Sequence, residues 1–254
     1  MSYLRNPLAW YKRYVEKVYD MPSGPAAWVG RAGHKALEHY YSGIDKPGSI
    51  DLGLEYLRGA ADADIHFGKS DKSKRAKKEK RQKMEAEYVQ AIGFYLDKPP
   101  KYNVLGVEVK GTAKVLGLPL PLKAISDLVV ESKIEKGAID VVDHKFVDSF
   151  SLEKGNKTLF VMQALFNYYT VQAVFKRPVK RFIVHECRKK VNRDGSAQMR
   201  KYVLNFSDLA ADFEVFHRLI KDVTDDLTQR KVFLPNPYDM FEGENSFDIY
   251  RLQL

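Results

Sequence analysis

The chain has 254 residues, 44% of them apolar and 12% aromatic, which excludes a largely disordered polypeptide and suits one domain with a substantial core. Its formal charge is +9, but between Lys69 and Lys83 nine basic residues face only Asp71 and Glu79, so +7 of that charge is local. No apolar run approaches the roughly 20 residues needed to span a bilayer, the N-terminus lacks the apolar core of a secretion signal, and the lone Cys187 permits neither an internal disulfide nor a thiolate-only metal cage. A cytoplasmic protein with no membrane partner is expected, and any metal must be held mainly by oxygen and nitrogen. The sequence leaves the oligomeric state open.

Asn6 before Pro7 reads as an N-cap followed by proline at the first helical position, opening a helix through about Tyr19 with Leu8, Tyr11, Val15 and Val18 inward. A second helix is predicted from Ala26 to Tyr41, stopped by Gly43, and a third from Asp51 to about Ile65. The tract 69–83 reads as a basic helix or loop. As a helix capped by Ser70 or Ser73, it sets Lys74, Lys77, Lys78 and Arg81 in one stripe that continues into Met84, Tyr88, Ile92 and Tyr95 and stops at Pro99-Pro100. Such a stripe suits a phosphate backbone, or equally a solvated face.

From Val104 the pattern turns to strands: Val104 to Val109, Ala113 to Leu118, Leu122 to Val130 and, after a polar turn ending in Gly137, a strand carrying Asp143 and Lys145. Side chains alternate along a strand, so Asp143 and Lys145 share a face, with Ile139 and Val141 deeper on it. A hairpin folded about residue 134 sets Asp127 opposite residue 141, one diagonal step from Asp143. Any one of these charges reads most simply as solvated. Gathered at the rim of an apolar sheet they are costly unless something binds there, and a divalent metal with a water would justify them.

A helix from Thr158 to Phe175, apolar on nearly every side, carries Gln163, which must find a partner if buried. Strands from Arg181 to Glu186 and Lys201 to Leu204 follow, then a helix capped by Ser207 and running to about Arg230, then an irregular tail. On the second helix His34 and Glu38 share a face, and Gly30 and Gly33 would let that helix approach a sheet closely. The order implies an α/β protein with a small mixed β-sheet flanked by helices. We expect one domain over 1–254, mostly helical over 1–100, with the catalytic sheet and central helix at 101–206 and the last helix and tail at 207–254. No P-loop, no G-x-G-x-x-G and no G-x-S-x-G occurs, and Cys187 has no helix N-terminus to activate it, so nucleotide binding and serine or cysteine nucleophiles are not supported.

Taken in order, Gly30 with His34, Asp127 in Ile125-Ser-Asp-Leu-Val, Asp143-His-Lys145, and Gln163 with Tyr168 resemble the motifs of the RecB-type branch of the PD-(D/E)XK nuclease superfamily. The resemblance implies a restriction-endonuclease-like core and a nuclease using Mg²⁺ or Mn²⁺. By it, His34, Asp127, Asp143 and the backbone carbonyl of His144 would hold metal, Lys145 would position or activate the water, and Gln163 and Tyr168 would support the site or contact DNA. Many such relatives clamp an iron–sulfur cluster with four cysteines. Here Asn6 stands at the first of those places and Phe233 to Tyr250 holds no cysteine, so no iron–sulfur cluster is expected and packing must hold the termini. The interval from Gln163 to Tyr168 is five rather than the usual four, with Asn167 in the fourth place. The function so implied is a DNA exonuclease acting in recombination, repair or phage DNA processing. The alternatives are a structure-specific or nicking endonuclease and a catalytically inactive nucleic-acid-binding module.

Overall fold

The computed structural model describes residues 2–17, 22–68, 73–151, 157–196 and 198–234, which fall into two compact units: residues 23–217, and the two chain ends, 1–22 with 218–254. In the unit of the chain ends, α1 (Ser2–Arg5) and α2 (Pro7–Tyr11) are separated by Asn6, whose side-chain oxygen accepts from the Ala9 N–H at 3.0 Å, as the Asn-Pro pair implied. The predicted continuation differs. Lys12–Glu16 widens into a π-helix, and Lys17 at φ 57° closes it in the left-handed region, leaving Val15 51% exposed rather than inward. Val18 and Tyr19 lie outside the described residues. Tyr11 stacks on Phe233 at 4.2 Å, the Leu8 N–H donates to the Leu234 carbonyl at 3.2 Å, and the Tyr3 hydroxyl donates to Asp226, which Arg230 also grips.

The larger unit is a five-stranded sheet in the order β1 (Val104–Ala113), β2 (Leu122–Glu131), β3 (Ile139–Val147), β4 (Val179–Arg188), β5 (Met199–Asn205). Only β3 and β4 are parallel, and the long helix between them makes the crossover that parallel neighbours require. Helices α3 (Pro25–Tyr41), α4 (Lys46–Arg58) and α5 (Lys74–Asp97) group together, α3 packing on β3 and α5 on β4. Helix α6 (Lys157–Phe175) packs chiefly on β1 and β2, and α7 (Ala210–Gln229) follows β5. The expected small mixed sheet flanked by helices is what forms.

Local chemistry explains both the agreements and the shifts. Ser73 caps α5 by accepting from the Ala76 N–H at 3.1 Å, and the predicted inner face of Met84, Tyr88, Ile92 and Tyr95 is buried, each such side chain contributing about 1.5–3 kcal/mol. Helix α4 starts five residues before the predicted Asp51, because Asp45 accepts from the Gly48 N–H and Pro47 occupies the first turn, where a missing N–H costs nothing. The two strands predicted over 104–118 are one strand followed by a turn. Gly111 lies inside that strand at a point of close approach, where a Cβ would stand 2.7 Å from Thr170 Cβ and 2.9 Å from its carbonyl oxygen. Ser207 lies in a 3₁₀ turn, Phe206–Asp208, and α7 begins only at Ala210. Cys187 is 1% exposed, its sulfur 3.2 Å from the Ala91 carbonyl, and burial pushes its pKa up to about 12.

Gly111→Ala should therefore cost about 1–3 kcal/mol and lower the melting temperature by several degrees. Gly93→Ala, where a Cβ meets nothing within 4 Å, should be neutral or stabilise α5 by about 0.5–1 kcal/mol. Thermal melts of both variants beside the parent test the pair.

Candidate active site

The site forms where the sheet stops being regular. Pairing of β2 with β3 runs from Glu131↔Ile139 to Leu128↔Val142, so the hairpin folds about residue 135 rather than 134, and the next position along sets Asp127 against Asp143. There the ladder gives way to a side chain: the His144 N–H donates to Asp127 Oδ2 at 2.8 Å. Between β1 and β2 the pairs Val107↔Leu128 and Val109↔Ser126 bracket Glu108 against Asp127. Val107 and Leu128 pack with Tyr41 and Tyr102, whereas Gly111 and Ser126 face Thr170 and Asn167 of α6. In an unbroken strand 107 and 111, or 126 and 128, would share a face. Both strands therefore turn over at Glu108 and Asp127, and Glu108 does so at φ 48°, a strained conformation for a residue with a side chain.

Helix α3 brings His34 over this break, with Nδ1 3.2 Å from Asp127 Oδ2. Gly33 permits the approach, since a Cβ there would overlap the Phe146 ring; Gly30, expected to do the same, faces open space. Ligand atoms of His34, Glu108 and Asp127 all lie within 4.8 Å of one another. Beside them Lys145 Nζ donates to Asp143 Oδ1 at 3.0 Å and to Gln163 Oε1 at 3.1 Å, and the Gln163 amide donates to the same Asp143 oxygen. Gln163, required by its apolar helix to find a partner, finds Asp143 and Lys145. The strand alternation that paired Asp143 with Lys145 holds. Asp143 is turned toward Lys145 and Gln163 rather than into the cluster of three.

Electrostatics sets the two aspartates apart. Burial would raise the pKa of Asp127, but hydrogen bonds from His144 and His34 and their charge outweigh it and hold the carboxyl far below its usual range. Burial likewise opposes a proton on His34, yet its hydrogen bond to Asp127 and the negative charges of Asp127 and Asp143 lift its pKa. Asp143, 3% exposed, is raised by burial, with Lys145 pulling the other way and Asp127 adding to the rise. Glu108 is raised by burial first and then by Asp127.

These residues fit a divalent cation. Glu108 and Asp127 crowd the His34 imidazole, and the buried Asp143 beside them has its Oδ2 in an ion pair with Lys145 Nζ at 2.8 Å. Hard oxygen donors with one nitrogen suit Mg²⁺ or Mn²⁺.

A family model described as the PD-(D/E)XK nuclease superfamily matches residues 1–240. The chain belongs to the PD-(D/E)XK nuclease superfamily. Its mixed sheet with flanking helices is the restriction-endonuclease-like fold of that superfamily, and nuclease activity with a bound divalent metal is the superfamily's chemistry. Among solved structures it is similar to a "Putative exonuclease" from Eubacterium rectale, with TM-score 0.53 and 12% identity over 92% of this chain and 85% of that one, a likeness of fold. SSO0001 also matches, with TM-score 0.37 and 13% identity over 96% of this chain and 90% of that one. No curated protein matches. No helix among the described residues is long and apolar enough to cross a membrane.

Other expected residues are placed as follows. The His144 imidazole points behind β3, where Nε2 meets the Tyr95 hydroxyl at 2.8 Å. Tyr168 packs among Phe206, Phe213 and Tyr169, while Asn167, at the fourth place after Gln163, faces the sheet and takes the Ser126 hydroxyl. On α5 Lys74 and Lys78 are exposed and Lys77 lies 5.5 Å from the Phe67 ring centre, whereas Arg81 binds Asp62 and the Ala60 carbonyl. Sequence reasoning missed Glu108; its one signal was a lone acid in an apolar strand. It also missed Tyr102 bonded to His185, buried behind β3.

Burial, then the charges of His144 and Lys201, push the His185 pKa down to about 3. Between that value and about 6.5 the unfolded chain holds a proton that the folded chain lacks. The stability from this group is therefore complete above about pH 6.5 and is lost as pH falls toward 3. His185→Gln should show a shallower loss of stability over that window than the parent, measured by urea denaturation at stepped pH.

Proposed function

We propose that the chain is a divalent-metal-dependent deoxyribonuclease of the RecB-type branch, hydrolysing phosphodiester bonds as an exonuclease on DNA ends, in recombination, repair or phage DNA processing. The observation that carries this reading is the joining of Lys145, Asp143 and Gln163 in one hydrogen-bonded group beside the cluster of His34, Glu108 and Asp127. A binding module has no use for buried carboxylates facing a phosphate, because each repels it.

His34, Asp127, Asp143 and the His144 carbonyl would hold Mg²⁺ or Mn²⁺, and Glu108 adds a fifth candidate. When bound, the cation supplies charge to the phosphate oxygens and lowers the pKa of a water. The protein does the rest by position. Asp127 is kept ionised by its imidazole and N–H partners, so it is ready to bind without first losing a proton. Lys145, 31% exposed at its side chain, presents its ammonium at the rim, where it orients the attacking water and offsets the charge that builds on the phosphate. Gln163 holds both Lys145 and Asp143 through its two amide atoms, which fixes their spacing without adding charge. Lys74, Lys77 and Lys78 would follow the DNA backbone; Arg81, bound to Asp62, and Tyr168, packed among aromatic rings, have less freedom to do so.

Linear single-stranded, linear duplex and covalently closed circular DNA should be assayed with Mg²⁺, Mn²⁺ or EDTA. Linear DNA should be degraded with either metal and spared in EDTA, and Lys145→Ala or Asp143→Asn should cut turnover by about 10²-fold or more while DNA binding changes little. Cutting of the closed circle would replace the exonuclease by an endonuclease. Unchanged behaviour of both variants would leave the binding module.

If about four phosphates meet the basic helix, log affinity should fall with log salt at a slope of roughly −3 to −4. Reversing Lys74, Lys77 and Lys78 to glutamate should flatten that slope by roughly 2. A slope left untouched would take the tract off the substrate path.

A further inference from the structure

The cleft at the metal cluster is asymmetric. An open hollow of about 310 Å³, it is bordered by His34, Glu108 and Asp127 of the cluster and by Arg31, Lys35, Glu38, Tyr56 and Ile125. That is the small end of the range for ligand clefts, about the size of a single nucleotide. Outside it Arg31 lies over the Trp28 ring at 4.9 Å, and Trp28 packs on Tyr56 with ring centres 5.9 Å apart. These are exposed or half-exposed side chains, Tyr56 39% and Ile125 52%, and two of the group, Trp28 and Arg31, are held in place. The Trp28 indole N–H donates to the Asp64 carbonyl at 3.0 Å, and Arg31 donates to the Ser23 hydroxyl at 2.8 Å. Ser23 and Asp64 are themselves joined, the Ser23 N–H donating to the Asp64 carbonyl at 2.9 Å. The result is a pinned ledge of two aromatic rings and a guanidinium opening onto the metal cluster.

Resting on the nuclease reading above, we propose that this ledge selects the substrate: it stacks an unpaired nucleobase beside the scissile phosphodiester, with Arg31 and Lys35 on the flanking phosphates, so that the enzyme works on single-stranded DNA. The physics favours one occupant. Bases in a duplex have both faces covered by their neighbours and offer nothing to an aromatic side chain, whereas an unpaired base of any identity can stack on a ring. The guanidinium held over Trp28 extends the stack and brings charge to the backbone in the same stroke. Lys35 is partly engaged by Glu38 at 2.8 Å, so Arg31 is the principal phosphate contact. Of the acidic residues lining the cleft, Glu108 and Asp127 belong to the metal cluster and Glu38 is engaged by Lys35, which leaves Arg31 and the rings to phosphate and base.

Binding in EDTA separates this proposal from the nuclease reading, which Lys145→Ala tests on cleavage alone. The probes are a fluorescein-labelled oligothymidylate and a blunt hairpin duplex of equal charge. The parent should prefer the single strand. Trp28→Ala and Tyr56→Ala should each weaken its binding roughly ten-fold with little change for the duplex, while Tyr56→Phe restores it. With Trp10→Phe leaving Trp28 the sole tryptophan, oligothymidylate should quench the remaining fluorescence. Equal losses on both probes, or none on the single strand, would overturn the ledge and leave the nuclease reading standing if DNA is still cut. A protein that neither binds nor cuts DNA ends both.

Discussion

The carboxylate of Asp127, taking the place of a backbone carbonyl at the end of the β2–β3 ladder, is the interaction on which the rest of the site depends. By accepting the His144 N–H it closes the sheet at a point where the strands no longer pair, and the same oxygen lies against the imidazole of His34. A regular ladder would have satisfied that N–H with main chain and left the aspartate free to rotate. Here the backbone of the strand carrying Asp143 and Lys145 is fixed to the side chain of the strand before it. One hydrogen bond therefore sets the distance between two halves of the charge constellation, and helix α3 is drawn in over both.

Behind the sheet a second layer supports this arrangement. The His144 ring stacks on Tyr41 and on His185, and hydrogen bonds link His144 to Tyr95, Tyr95 to Tyr41, and His185 to Tyr102. These groups are buried or half-buried, so an unpaired member would cost far more than a paired one gains. The layer locks the side chain of the residue whose main chain Asp127 holds. On the opposite face Ser126 and Asn167 tie β2 to α6, and Asn167 also donates to the Gln163 carbonyl one turn earlier. Strand and helix thus reach the charged centre already braced from both sides.

Much of this was legible in the residues. Period-two alternation paired Asp143 with Lys145, the polar Gln163 in an apolar helix had to find a buried partner, and the Asn6-Pro7 and Ser73 signals marked real helix starts. What escaped were features that alternation and spacing cannot encode. Glu108 enters the site only because its backbone takes a positive φ and turns the strand over, which a sequence of valines around one acid does not announce. The register of the hairpin depended on a seven-residue turn, residues 132–138, centred on residue 135, one position beyond the 134 that the sequence suggested. Gly30 and Gly33 look alike in sequence; only the rotation of α3 decides that one meets Phe146 and the other nothing. That one strand runs on past Val109 through Gly111 escaped notice because Gly111 meets the main chain of Thr170, almost sixty residues away.

The burial of Cys187 bears on how the molecule can be handled. With its thiol sealed against Ala91 and reluctant to ionise, the native chain offers maleimides and iodoacetamides no nucleophilic sulfur. A cysteine introduced at an exposed position such as Gln82 would then be the one sulfur open to such reagents, giving a spectroscopic reporter on the basic helix without first removing the native thiol.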